Sequence, residues 1–468
     1  MANRSAFDST RRGFLRSMTA GSTLLPGLLS QLLAEDGATA DPLAPKLPHF
    51  PAKAKRVIFL YMSGGVSHVD SWDPKPRLFS GEGQTVSVNE FQGRKGDYKM
   101  FLTRPLWEFA PHGKCGTEVS ALFPHMAKCV DDLCVIRSMH SDHTNHYEAA
   151  LGLHTGSFTF ARPGIGSWVS YGLGSENRNL PSFVVIAPKT PYAGNQLWAS
   201  DFLPGAHQGT LVVPGSEPIA NIQRRAATDR MQRLELDAMA GMNRRHLLAR
   251  AADPLLAARM KSFETAFGMQ MEAPDAFDLS KENEATLDLY GLKRGQTTGF
   301  GWQCLIARRL SERGVRFVEL IDSGSSDNWD SHGDMMAHAP LAGNVDQAIA
   351  GLLRDLKQRG MLEDTLVVWT TEFGRTPFKE TAGAKGREHH HWAFSSWLAG
   401  AGVKPGTVHG ATDDCGINVA TDQVHVHDFH ATILHLMGMN HEKLIHRHNG
   451  RDYRLTDVAG KVVKAVMT

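Results

Sequence analysis

The feature that most constrains this chain is a series of short apolar runs, several of which stop abruptly in residues that carry chemistry. Val57 to Met62 is the first, and it ends in Ser63-Gly64-Gly65. Comparable runs are Leu133 to Ile136, Phe183 to Ile186, Val315 to Ile321 and Thr365 to Trp369. Apolar residues at consecutive positions in so short a run predict a strand buried on both faces, as in a parallel sheet. Helical patterns lie between the runs. Ala339 to Arg359 places Leu341, Val345, Ile349, Leu352, Leu353 and Leu356 on one face, the stripe of an amphipathic helix. Strands alternating with helices predict a mainly parallel sheet covered on both faces, a three-layer α/β/α domain. Residues 223–268 are charged, rich in Ala, Leu and Met, and periodic, so a helical insertion is expected there.

In a parallel sheet ligands bind beyond the carboxyl ends of the strands, so the segments that follow the runs are the candidate site. After the first come His68 and Asp70. They are metal-ligand candidates, or else polar residues capping a helix behind a glycine turn. After the second comes Arg137-Ser-Met-His140-Ser141-Asp-His-Thr144-Asn145-His146-Tyr-Glu148. Asn145 as N-cap with Glu148 three residues on predicts a helix to about Leu153, stopped by Thr155-Gly156. Ser141 or Thr144 at that N-terminus is a candidate nucleophile with His140 or His146 beside it. The plainer alternative is a capped helix with solvated histidines.

After the fourth run Asp330 and His332 stand in a stretch crowded with Asp and Ser, a composition able to converge on one cation. After the fifth stands Glu372. A carboxylate at the tip of a buried strand needs a partner charge or a metal. Arg375 is the plain partner. Arg137 or Arg375 is also a candidate clamp for an anion. Farther on come three consecutive imidazoles, of which His389 and His390 are metal-ligand candidates.

Composition narrows the function classes. The chain has 468 residues and a formal net charge of +1, so no basic field is present to hold nucleic acid. Its 23 histidines cluster with Asp, Asn and Gly, which favours metal or acid–base chemistry. The five cysteines are too scattered for a disulfide framework. Cys129 and Cys134 could pair in an oxidising compartment, but buried thiols are the expected state. Thr10 to Arg16 reads TRRGFLR and is followed by Leu24, Leu25, Leu28, Leu29, Leu32 and Leu33, then Ala38-Thr39-Ala40. That order of basic, apolar and small residues resembles a twin-arginine export signal. It predicts a signal over 1–40, a single domain over 41–468 and a periplasmic or exported protein. No later segment is long and apolar enough to span a bilayer.

Three passages resemble the alkaline phosphatase superfamily, which includes sulfatases and phosphodiesterases: Asn145 to Gly156, Leu366 to Gly374 and His427 to Gly438. A nearer resemblance covers nearly the whole chain. The phrases GGVSHVDSWDPKP, TTEFGRTP, the histidine run before FSSWLAGAGVKPG, and ATILHLMG with GRDYRLTDV are similar to the domain of unknown function 1501 family. The resemblance implies an alkaline phosphatase/sulfatase-like fold and metal-assisted cleavage or transfer of a phosphate- or sulfate-type ester. A divalent cation (Zn, Mn or Ca) would be held by some of Asp330, His332, Glu372, His389 and His390. His68 and Asp70 would complete that site or a second one. A small anionic ester or a polysaccharide-linked substrate is implied.

The chain departs from the superfamily pattern. Ser63 stands where the phosphatases place Asp, and Glu372-Phe373-Gly374 replaces Asp-His-Gly. A nucleophile counted back from Thr155-Gly156 would fall near His146. A single or rearranged metal site is therefore expected in place of the usual pair. The rival expectation is an exported binding or assembly protein that keeps the fold without the chemistry.

Overall fold

In the computed structural model, residues 41–220, 222, 228–249 and 254–468 are described; the expected signal segment, residues 1–40, lies outside them. Nine strands form the central sheet: β1 Arg56–Tyr61, β2 Leu133–His140, β3 Phe183–Ile186, β4 Thr210–Val212, β5 Phe317–Ile321, β6 Thr365–Thr370, β7 Phe394–Ala399, β8 Thr407–His409 and β9 Val424–His425. The order across the sheet is β8-β2-β7-β6-β1-β5-β3-β4, with β9 also pairing along β2. All strands run the same way except β7, which is antiparallel to both β6 and β2. The five strands expected from the apolar runs are all present. Four more, β4, β7, β8 and β9, were not expected, and three of these are only two or three residues long.

The period of two along each strand sorts side chains to the two faces. Ile58, Leu60 and Met62 of the β1 segment join one buried cluster, while Val57, Phe59 and Tyr61 join the other. The first face is covered by α5 (Phe300–Glu312) and α6 (His338–Gln358), the second by α1 (His146–Thr155), α2 (Ile165–Leu173) and α7 (Val426–Leu436). This is the three-layer α/β/α arrangement. The segment expected to be helical carries α3 (Asp229–Ala249) and α4 (Pro254–Phe277), the second running past residue 268.

Helix α1 starts where its cap predicts. The Asn145 side chain accepts from Tyr147 N–H at 3.0 Å, and Gly156 closes the far end in the left-handed conformation. The reciprocal bond is not made by Glu148. Asn145 N–H donates instead to His143 Nδ1 at 3.1 Å. A β-hairpin, Thr85–Phe91 with Arg94–Leu102, lies outside the sheet and is tied to Phe378–Lys379. Its turn, Gln92-Gly93, has positive φ at both positions, as hairpin turns that match strand twist require. The five cysteines are free thiols, with Cys129, Cys134 and Cys304 buried. Among the described residues no helix is long and apolar enough to cross a membrane.

Candidate metal centre

The carboxyl ends of β1, β2, β5 and β6 open on one rim. Because β7 runs the other way, the segment before it, including the three-histidine run, arrives at that same rim. The site is built there. His146 is the first residue of α1. Asp330 lies in the loop after β5, Glu372 stands two residues past the Thr370 that ends β6, and His389 pairs with Arg375 in a short ladder.

Three imidazoles turn toward the Asp330 carboxylate. His332 Nε2 is 2.8 Å from Oδ1, His389 Nε2 is 3.3 Å from Oδ1, and His146 Nε2 is 3.3 Å from Oδ2. The other ring nitrogen of each is already engaged. His146 Nδ1 lies 2.7 Å from Glu372 Oε1, His332 Nδ1 2.5 Å from Glu388 Oε2, and His389 Nδ1 2.7 Å from the Thr144 carbonyl. Those oxygens accept only, so each Nδ1 donates. A neutral ring then leaves its Nε2 lone pair facing a carboxylate, or facing another lone pair: His332 and His389 bring their Nε2 atoms within 3.0 Å. That arrangement is repulsive unless a cation, proton or metal, sits among them. His146 Nε2 is buried and makes no hydrogen bond despite its distance from Asp330. Ligand atoms of His146, Asp330 and His389 all lie within 4.8 Å of one another. Imidazoles oriented by carboxylates and carbonyls, with a carboxylate among them, are the donor set of a divalent transition metal. The residues fit the expected ion.

Protein charges respond to the same crowding. Burial alone would push the Asp330 carboxyl up, but the close imidazoles of His146, His332 and His389 and the Arg375 charge hold it far below the usual range. The hydrogen bonds to Asp330 and Glu388 raise His332 to about 9. Burial works against His146, yet Asp330 and Glu372 raise it on balance. Burial lowers His389, and its Asp330 contact only partly compensates.

Glu372 is fully buried and accepts from Gly64 N–H at 2.9 and 3.1 Å through its two oxygens. Burial disfavours its charge, but His146 and the Gly64 amide outweigh that and keep the carboxyl low. The amide can approach because Gly64 has φ of +111°, and a Cβ there would meet Trp329 N at 2.7 Å. Arg375 is also wholly buried. It donates to Gly65 O at 2.9 Å, to Gly64 O, and to Asp330 Oδ1 at 2.6 Å. Its guanidinium braces the glycine turn and the Asp330 loop and has no surface to offer an anion.

The structure thus brings together His146, Asp330, His332, Glu372, Arg375 and His389. The other candidates have different neighbours. Asp70 is buried in an ion pair with Arg387 at 2.7 Å and accepts from Ser67 and Leu106. His68 Nε2 lies 2.9 Å from Gly416 O, and His390 Nε2 2.6 Å from Ile417 O. Both rings are therefore oriented by backbone carbonyls, away from Asp330. Arg137 Nε donates to Trp72 O at 2.7 Å. The His140 ring lies tilted against that of His425, with centroids 5.0 Å apart. Ser141 is 1% exposed with an unpartnered hydroxyl. Thr144 holds His389 through its carbonyl and lines a small depression with it.

Three contributors went unassigned in the sequence. Glu388 orients His332 and is itself held by Lys379. Its position next to the histidine run was the available signal. Tyr192 stacks flat on His146, with centroids 4.3 Å apart and planes within 7°. Phe373 packs against both His146 and His389 at 4.7 Å. Neither aromatic has a local pattern that announces it.

The fold and this rim define a three-layer α/β protein with a His–Asp–His cluster beyond the carboxyl ends of a mainly parallel sheet. The chain belongs to the family described as protein of unknown function (DUF1501), whose model matches residues 54–467. No curated protein matches it. Among solved structures it is similar to the lipoteichoic acid synthase LtaP from Listeria monocytogenes, at 8% identity and TM-score 0.38, covering 90% of this chain and 80% of that one. It is also similar to the PsFucS1 sulfatase from Pseudoalteromonas sp., at 14% identity and TM-score 0.34 over 88% and 70% of the two chains. A magnesium-bound variant of the TAB5 alkaline phosphatase matches at 11% identity and TM-score 0.34 over 83% and 99%.

Proposed function

We propose that this chain is an exported hydrolase that cleaves a phosphate- or sulfate-type ester with the help of one divalent cation, held by His146, Asp330 and His389 with His332 adjacent. The observation that carries the reading is the common posture of three imidazoles. Each gives its Nδ1–H to a carboxylate or carbonyl and turns its Nε2 on one aspartate. A bound divalent cation supplies Lewis acidity to an ester oxygen and acidifies a bound water. Glu372 and Glu388 fix the tautomers of His146 and His332. Arg375 keeps Asp330 in place. Water is the attacking group in this reading, since the Ser141 hydroxyl is enclosed. Export follows from the Arg11-Arg12 segment and the small-residue stretch before Asp41.

One observation favours a second reading. The Arg375 guanidinium already neutralises Asp330 at 2.6 Å, as it would in a binding protein that has lost its metal. Elemental analysis of protein purified without chelator separates the two. We expect near one equivalent of Zn, Mn or another divalent ion, lost in Asp330→Asn and His146→Ala along with hydrolysis of aryl phosphate or aryl sulfate esters. Less than about 0.1 equivalent, with no uptake from added metal, would establish the binding reading. The exported form should begin near Asp41 on N-terminal sequencing of the periplasmic or secreted fraction. Recovery of intact Arg11-Arg12 there would refute signal removal.

A further inference from the structure

The chain has nine tryptophans. Seven are buried, and Trp107 packs partly buried against the core. Trp392 alone is exposed, at 42%. An indole at the surface offers a flat apolar body and a polar N–H to a ligand. It is also held firmly. It follows His391, whose carbonyl accepts from Ser141 N–H at 2.9 Å and whose ring lies against the indole, centroids 4.4 Å apart.

Trp392 forms one wall of a cleft of about 360 Å³, between the Thr85–Leu102 hairpin and the segment around Asn418. That volume is in the range of small-ligand sites. The lining also carries Asn89, Glu90, Lys95 and Asn418, together with the buried Phe378. Glu90 and Lys95 face each other across the hairpin ladder. Amide, carboxylate and ammonium groups offer donors and acceptors in several directions, beside one flat apolar surface. A pyranose ring asks for this combination: its axial C–H face lies on an aromatic plane while its hydroxyls, each both donor and acceptor, meet planar polar side chains. An extended peptide would instead want an open strand edge or a row of apolar pockets.

The cleft also adjoins the metal centre. A narrower depression shares Glu90, Phe378, His390 and Trp392 with it and reaches His389 and Thr144. The hairpin turn closes the remaining side, where the Gln92 amide donates to Glu388 at 3.2 Å. A sugar lying on Trp392 therefore sits beside a centre that handles an ester.

We infer that this cleft is a saccharide subsite stacked on Trp392, so that the ester cleaved at the His146–Asp330–His389 centre is borne by a sugar. The hydrolase reading supplies the ester; the subsite itself stands on the cleft. The test is binding of the mature full-length protein to a panel of neutral, sulfated and phosphorylated oligosaccharides, followed by titration through tryptophan fluorescence. Wild type should bind at least one sulfated or phosphorylated saccharide. Trp392→Ala should weaken that binding roughly tenfold or more, and Asn418→Ala should weaken it to a smaller extent. Trp392→Phe, which keeps a flat ring, should hold most of the affinity. Hydrolysis of a sugarless aryl ester and the thermal midpoint should not change in Trp392→Ala. No saccharide bound by wild type, or equal binding by Trp392→Ala, overturns the assignment, as does loss of aryl-ester hydrolysis in a folded Trp392→Ala. His146→Ala keeps the two proposals apart, since it should abolish ester cleavage and spare saccharide binding. If wild type cleaves no ester yet binds saccharide through Trp392, the hydrolase reading falls and the subsite remains.

Discussion

Glu372 shows how much one side chain can carry at the sheet rim. It does not face Asp330 directly. It takes the Nδ1–H of His146 and two contacts from Gly64 N–H, and so decides which nitrogen of His146 looks outward. Residues that orient a metal-bound imidazole typically affect metal affinity 10–100-fold when changed. Glu372→Gln is therefore expected to weaken Zn or Mn binding by roughly that factor while leaving all three nitrogen and oxygen donors in place. Metal titration of the apo variant by calorimetry checks it, and an unchanged affinity would show that His146 needs no such support. Asp330, His332 and His389 were legible in the sequence because polar ligand-type residues gathered behind apolar runs. Glu388 stood beside them unassigned, since nothing local told which carboxylate would reach an imidazole 56 positions away. His68, Asp70 and His390 read the same way as the others, and the fold gave them backbone carbonyls and Arg387 instead.

At the scale of elements, helix α1 is the lever of the site. His146 opens it, and two turns on, His154 Nε2 meets Glu319 of β5 at 2.8 Å with both side chains buried. Glu319 interrupts an otherwise apolar strand, Phe317–Ile321. The pair ties α1 to the sheet at a defined height, and with it the position of His146. Deleting one partner leaves the other buried polar group stranded and costs roughly 1–3 kcal/mol. Glu319→Ala is expected to lose about that much stability by urea or guanidinium unfolding, with His146 displaced and metal affinity lowered. A loss under about 1 kcal/mol would mean that His154 is served by other contacts. Helix α1 itself was readable from Asn145 and Gly156, because caps are local chemistry. Strand β7 was not recognised. Ser395 and Ser396 break the apolar run of Phe394–Ala399, and direction within a sheet is a property of pairing, which leaves no mark on one strand alone.

Across the whole molecule some buried imidazoles are held in favour of their neutral form. His207 lies against Ser170 Oγ at 2.8 Å, and His430 donates to Leu153 O at 2.6 Å. Burial, followed by nearby Lys46 and His446, lowers His207 to about 3; burial, followed by His427, lowers His430 to about 3. In the unfolded chain both would titrate near 6.5. Between those values the unfolded state binds more protons, so stability is full above about pH 6.5 and falls as pH drops toward 3. Each such group contributes a slope of roughly 1.4 kcal/mol per pH unit in that window. Denaturant midpoints measured from pH 7 to 4 should fall steadily, and His207→Asn should flatten the slope. A profile unchanged by that substitution would mean that His207 does not remain neutral in the fold.

Sequence by itself determined the core strands, the capped helix and the amphipathic α6, because hydrophobic period and capping act within a few residues. It also marked the loops in which ligand-type side chains would be found. Only the tertiary structure decided which of those side chains share a carboxylate and which are spent on backbone oxygens. It also left one tryptophan of nine in water. The reason is geometric: a metal centre needs atoms within a few ångströms of one another, and that distance is set by sheet order and strand direction, which bring positions 146, 330 and 389 together from three separate segments.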